Sequence, residues 1–122
     1  MVGAKRRGDW DNHCRCTSDS LHDTPPDAWR MNDSGADLGT AWRASGYGDS
    51  SWRSGPTEIG YGDGDEATTL SWGADPTRKP ITYYLRREFQ AGDSISDFTA
   101  LSLRALVDDG AIVYLNGQEV WR

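Results

Sequence analysis

The sequence predicts an all-β protein built from short strands, and three observations carry that expectation. Its acidic residues are 15 Asp against 4 Glu, accompanied by 14 Gly, so turn formers outweigh helix formers. Between Ile81 and Phe89 the residues alternate as a strand does, with Tyr83, Leu85 and Phe89 on one face and Tyr84 and Arg86 on the other. Asn116-Gly117 separates an apolar run, Ala111 to Leu115, from Gln118 to Arg122. That dipeptide is the favoured type I′ hairpin pair, because both residues tolerate positive φ.

Taken in order, residues 1–27 read as a disordered leader or linker. Apart from Met1, the only large apolar side chains there are Val2, Trp10 and Leu21, and Pro25-Pro26 closes the stretch. Lys5-Arg6-Arg7 is followed by no apolar run, so the stretch is not an intact secretory signal. His13-Cys14-Arg15-Cys16 with His22 has C-x-C spacing, whereas zinc sites use C-x₂-C with a second ligand pair. From residue 28 onward the chain reads as one module, 28–122. Turn residues punctuate Ala28 to Trp52, and Trp42 and Trp52 read as core. Residues 53–80 read mostly as loop.

Thr99 to Val107 reads as a strand with Leu101, Leu103, Ala105 and Val107 on one side. Asp108-Asp109-Gly110 then reads as a tight turn, with Asp capping backbone N–H groups and Gly110 at positive φ. Ala111 to Leu115 is apolar on both faces, which predicts a central strand. Together, 99–122 is expected to be an antiparallel meander. Its last strand is expected to have an open edge through which the chain self-associates. Arg86 on a central strand needs a partner, and Glu88, Glu58 and Asp108 are the candidates.

Composition excludes several classes of function. The formal charge of −6 argues against a nucleic-acid partner, which a basic face would serve. No apolar run is long enough for a membrane-spanning helix. Neither a G-x-S-x-G elbow nor a phosphate loop occurs, and both histidines, His13 and His22, fall before residue 28, so no catalytic residue is assigned. Aromatic side chains are the best ligand candidates, because a sugar ring has an apolar face that stacks on them. Trp72, Tyr61 and Tyr47 lie in polar or Gly-rich segments and are singled out on that ground. Asp63 and Asp65 sit in an acidic, Gly-containing loop suited to a hard cation, although its spacing is not that of an EF-hand.

Three segments, in order, carry a family resemblance: Ser50-Ser51-Trp52-Arg53-Ser54-Gly55-Pro56 with Ile59 to Gly64, Ile81 to Phe89, and Val107 to Val120. Over residues 28–122 the chain resembles the galactose-binding-like jelly-roll modules of bacterial secreted multidomain proteins. Those modules are similar to the jelly-roll domains of β-galactosidases and are attached to metallophosphoesterases and glycoside hydrolases. The resemblance implies a jelly-roll β-sandwich, here stopping short of the family's closing strands, and a structural calcium, for which the Asp63–Asp65 loop is the candidate; the alternative for that loop is a solvated acidic turn with no metal. It further implies an extracellular or cell-surface, non-catalytic accessory module that recognises carbohydrate. The alternatives are a module that packs against a catalytic hydrolase domain without binding sugar, and a fragment of the hydrolase itself.

Overall fold

The computed structural model describes residues 2–5, 12–17, 28–89 and 103–122. Its strands are β1 (Val2–Lys5), β2 (Asn12–Thr17), β3 (Ala28–Asn32), β4 (Arg53–Pro56), β5 (Ile59–Tyr61), β6 (Thr68–Thr69), β7 (Thr82–Arg86), β8 (Arg104–Val107), β9 (Ala111–Leu115) and β10 (Gln118–Trp121). A single 3₁₀ turn, Ala41–Arg43, is the helical element among the described residues. The strands form two sheets, ordered β10-β9-β1-β7-β3-β4 and β6-β5-β2-β8. All pairings are antiparallel except β5 with β6. The all-β expectation therefore holds.

Period-two alternation explains how the sheets pack. Trp29 and Met31 of β3, Tyr83 and Leu85 of β7, and Ala111 and Val113 of β9 are buried in one cluster with Ile59 and Tyr61 of β5 and Leu70. That cluster joins residues of both sheets and forms the inner core. The interleaved residues Tyr84, Ile112 and Tyr114 enter a second cluster with Trp42 and Trp52, flanked by Leu38 and Tyr47. Residues 38–52 thus form a third layer over the outer face of the larger sheet. This explains why β9 is apolar on both faces: each face has its own core. Trp42 lies edge-on to Tyr84 at 4.9 Å and to Tyr114 at 5.6 Å.

Arg86 fastens this outer layer. Its Nε donates to Asp49 Oδ2 at 2.7 Å, and its Nη1 donates to the carbonyls of Trp42 and of Ala44 (3.0 Å). Arg86 sits opposite Arg30 in the β3–β7 register, where two like charges would repel. Asp49 resolves the conflict by placing Oδ1 3.4 Å from Arg30 Nε while Oδ2 accepts from Arg86. Among the partners proposed for Arg86, Glu88 comes within 3.9 Å. Asp49 is the principal partner, and it lies 37 residues away in a turn, out of reach of local spacing rules.

The two sheets meet closely at one edge. Thr68 Oγ1 donates to the Pro56 carbonyl at 2.7 Å, and Thr68 N–H donates to the Glu58 carbonyl at 2.9 Å. Gly55 lies directly beneath. A Cβ there would overlap Thr68 Oγ1 and come within 2.7 Å of its Cγ2.

Several expectations need correction. Within the predicted leader, β1 pairs with both β7 and β9, and β2 pairs with both β5 and β8. Backbone ladders, which require no large apolar side chain, recruit these two segments. The rest of 1–27 lies outside the described residues, as does the start of the strand expected from Thr99. Residues 53–80 are less loop-like than expected, since they hold β4, β5 and β6. The meander over 99–122 is only half right. β9 and β10 form the hairpin, with Asn116 at φ 48° and Gly117 at φ 84°, but β8 belongs to the smaller sheet, so 108–110 crosses between layers. In that crossing Asp109 takes positive φ (70°) in place of Gly110, and Asp108 Oδ1 accepts the Asp109 N–H at 2.8 Å. β10 lies at one edge of the larger sheet.

Two stability outcomes follow from these contacts. Arg86→Ala removes a side chain that is only 2% exposed, leaving Asp49 and two carbonyls short of a donor. We expect a loss of about 3 kcal/mol in urea unfolding, with Arg86→Lys recovering only part of it because one ammonium replaces a planar fork. Gly55→Ala should cost about 1–3 kcal/mol by overpacking the β4–β6 seam, and Gly55→Ala with Thr68→Ser should recover some of that loss. An unchanged melting profile for Gly55→Ala would contradict the close approach.

Candidate functional site

The candidate site is an open groove of about 570 Å³ at the end of the smaller sheet. Tyr61, Gly62, Glu66, Thr69, Trp72 and Lys79 line it. Tyr61 ends β5 and is buried, because its ring also belongs to the inner core, 6.0 Å from the ring of Tyr83 in an edge arrangement. Trp72 lies beyond β6 with 42% of its surface exposed, its ring 5.5 Å from that of Tyr61 and tilted by 55°. Lys79 Nζ lies 5.0 Å from the Tyr61 ring centroid, within cation–π range. An aromatic run therefore leads from the core (Tyr83) through the groove floor (Tyr61) to the surface (Trp72).

Residues outside the groove hold Trp72 in place. Asp33, just after β3, accepts the Ser71 N–H at 2.9 Å on Oδ2, the oxygen that also accepts from Arg53 Nη1. Arg53 Nη2 donates to the Thr69 carbonyl at 3.2 Å. The backbone on the N-terminal side of Trp72 is thus tied to β3 and β4 by one carboxylate and one guanidinium. Beyond Trp72, the Asp75 Oδ1 accepts from Thr77 N–H at 2.8 Å and Thr77 Oγ1 at 2.6 Å. These bonds turn the chain around Pro76, which also lines the groove.

Of the three aromatic candidates, Tyr61 and Trp72 come together and Tyr47 does not. Tyr47 belongs to the outer layer, edge-on to Trp52 at 5.8 Å and 5.4 Å from the Arg86 guanidinium carbon. Its ring packs on Trp52 and the Arg86 guanidinium while Ser45, Gly46 and Gly48 around it stay exposed, so Tyr47 stands apart from the groove. Asp63 and Asp65 lie in an exposed loop at the groove rim. There Glu66 accepts the Asp63 N–H on Oε1 (3.0 Å) and the Gly64 N–H on Oε2 (3.2 Å), bracing the turn from inside. No group of three metal-ligating side chains gathers among the described residues.

Three site residues escaped sequence reasoning: Lys79, Asp33 and Arg53. Asp33 lies 38 residues from the N–H it holds and 20 from Arg53, so no local spacing announces the pairing. Lys79 carries the faint signal of being one of two lysines in the chain.

Thr77 holds the Asp75 carboxyl below its ordinary value, chiefly through the hydroxyl bond and then through the backbone N–H. A depressed folded value means that this turn's contribution is present above the unfolded pKa and is lost as pH falls through the folded one. A carboxyl NMR titration should therefore place Asp75 below a free aspartate, and Thr77→Val should move it back up. No family model, no curated protein and no solved structure matches the chain.

Proposed function

We propose that the chain is a non-catalytic carbohydrate-recognition module of the galactose-binding-like jelly-roll type, working beside other domains of an extracellular protein. One observation carries the reading. Trp72 keeps 42% of its surface exposed at a groove whose floor is a second, buried aromatic ring. Trp121 is more exposed, so exposure alone does not single out Trp72; what does is its place beside a second ring in a groove, with the backbone clamped in that position by Asp33 and Arg53. A pyranose presents C–H groups on one face and hydroxyls around its edge. The groove offers the matching pair of surfaces: aromatic rings for the face, and Thr69, Glu66 and Lys79 for the edge.

A second reading is favoured by Leu103 and Leu106, which are 48% and 62% exposed at the start of β8 and on it. β8 is the outer strand of the smaller sheet, and by strand alternation Leu103 and Leu106 leave one exposed apolar side chain towards each side of that edge. That edge suits packing against a neighbouring catalytic domain with no sugar involved.

The readings separate in solution. Oligosaccharides titrated against the chain should shift the emission of Trp72, and Trp72→Ala should weaken binding about tenfold or more, as expected for losing one stacked ring. Silence across a panel of neutral and acidic oligosaccharides would sink the sugar reading in favour of the packing one.

A further inference from the structure

We infer, resting on the sugar reading of this groove, that its ligand carries a carboxylate, so that the recognised unit is a uronic acid and not a neutral hexose. The inference starts from Lys79. Lys79 is half-buried as a residue, and its ammonium lies 5.0 Å from the Tyr61 ring centroid, in the groove lining. Among the described residues no carboxylate comes within ion-pair distance of it. The arginines at the site and in the outer layer are treated differently: Arg53 meets Asp33, while Arg30 and Arg86 share Asp49. Arg43 likewise rests on a ring, 4.7 Å from the Tyr114 centroid, but in the outer layer; Lys79 is the cation of this kind that lines the groove.

Glu66 also lines the groove, and its carboxylate is already committed. Each of its oxygens accepts a backbone N–H of the Asp63–Gly64 turn. Within its lining the groove therefore offers one carboxylate engaged by its own loop and one ammonium, while the carboxylates of Asp63 and Asp65 stay at the solvent-exposed rim. A uronate matches this arrangement. Its ring face stacks on Trp72, and its exocyclic carboxylate, bonded directly to the ring, reaches an ammonium held beside that same aromatic floor. A charge-assisted N–H···O bond replaces the water around both ions, and the cation–π contact keeps Lys79 extended over Tyr61 so that little side-chain freedom is lost on binding.

The test uses matched probes: oligomers of galacturonate, glucuronate and mannuronate, each as the free acid and as its methyl ester, titrated against the full chain. Esterification removes the charge and keeps the ring. At least one acid should bind about tenfold or more tightly than its ester, a preference that shrinks with added salt. Lys79→Met, which keeps the apolar stem, should bring the acid down to the level of its ester, and Lys79→Arg should retain the preference. Acid and ester binding equally well, both in a Trp72-dependent way, would overturn the inference and leave the sugar reading standing. A preference that survives Lys79→Met would overturn it as well. Binding of neither form would remove both.

Discussion

The structure depends on one carboxylate between two guanidiniums. β3 and β7 are neighbours in register, and the pairing sets Arg30 directly opposite Arg86 on the outer face of the larger sheet. Two like charges in that position would push the strands apart, and Arg86 is too buried for water to screen it. Asp49 removes the repulsion by giving one oxygen to each arginine. Because Asp49 lies in the segment 38–52, the same contact fastens that whole segment to the sheet. Arg86 then adds the carbonyls of Trp42 and Ala44, so the turn that presents Trp42 is held by its backbone and not only by its ring. Trp42 and Trp52 cover Tyr84 and Tyr114, and the sheet becomes buried on both faces.

With the outer face closed in this way, the inner face is left to build the groove. Tyr83, Tyr61 and Trp72 follow one another at ring separations of 6.0 and 5.5 Å, from the inner core to the surface. Their positions are set by different forces. Tyr61 is placed by packing, since its strand β5 is buried along its whole length. Trp72, more exposed, touches Tyr61 on one side and is otherwise placed by hydrogen bonds to its neighbours Thr69 and Ser71. The Gly55–Thr68 approach joins the two mechanisms, because it brings the edge of one sheet against the other just before the chain reaches Trp72. Contacts from both sheets thus fix the positions of Tyr61 and Trp72.

Strand alternation was the most legible feature of the sequence. Tyr83 and Leu85 against Tyr84 and Arg86, and Ala111 and Val113 against Ile112 and Tyr114, divide between two cores as the period-two pattern requires. The Asn116-Gly117 hairpin was equally legible, since few dipeptides accept two positive φ angles in succession. Short strands were harder to see. β6 has two residues and β5 three, too few for any periodicity to develop, and β1 and β2 join by backbone ladders that leave little trace in side-chain pattern. The crossing at 108–110 was misread because a tight turn between apolar runs looks the same whether the chain returns to its own sheet or enters the next. At the site, Trp72 and Tyr61 were legible as aromatics in loop-like surroundings. Tyr47 shared that signature and separates from them only through Arg86, a long-range partner.

The abundance of aspartate also acquires a physical explanation. Asp37 accepts the N–H of Gly39, Asp75 that of Thr77, and Asp108 that of Asp109, each closing a local turn. Asp33 and Asp49 act over longer range, each anchoring a loop through arginine. In a chain with no α-helix among its described residues, these carboxylates supply the acceptors that irregular backbone needs. Much of the acidity is therefore spent on holding loops, and the net charge, which speaks against a polyanionic nucleic-acid partner, does not describe the groove. Its lining holds one glutamate, engaged by its own turn, and one lysine, resting against an aromatic ring, with the exposed Asp63 and Asp65 at the rim.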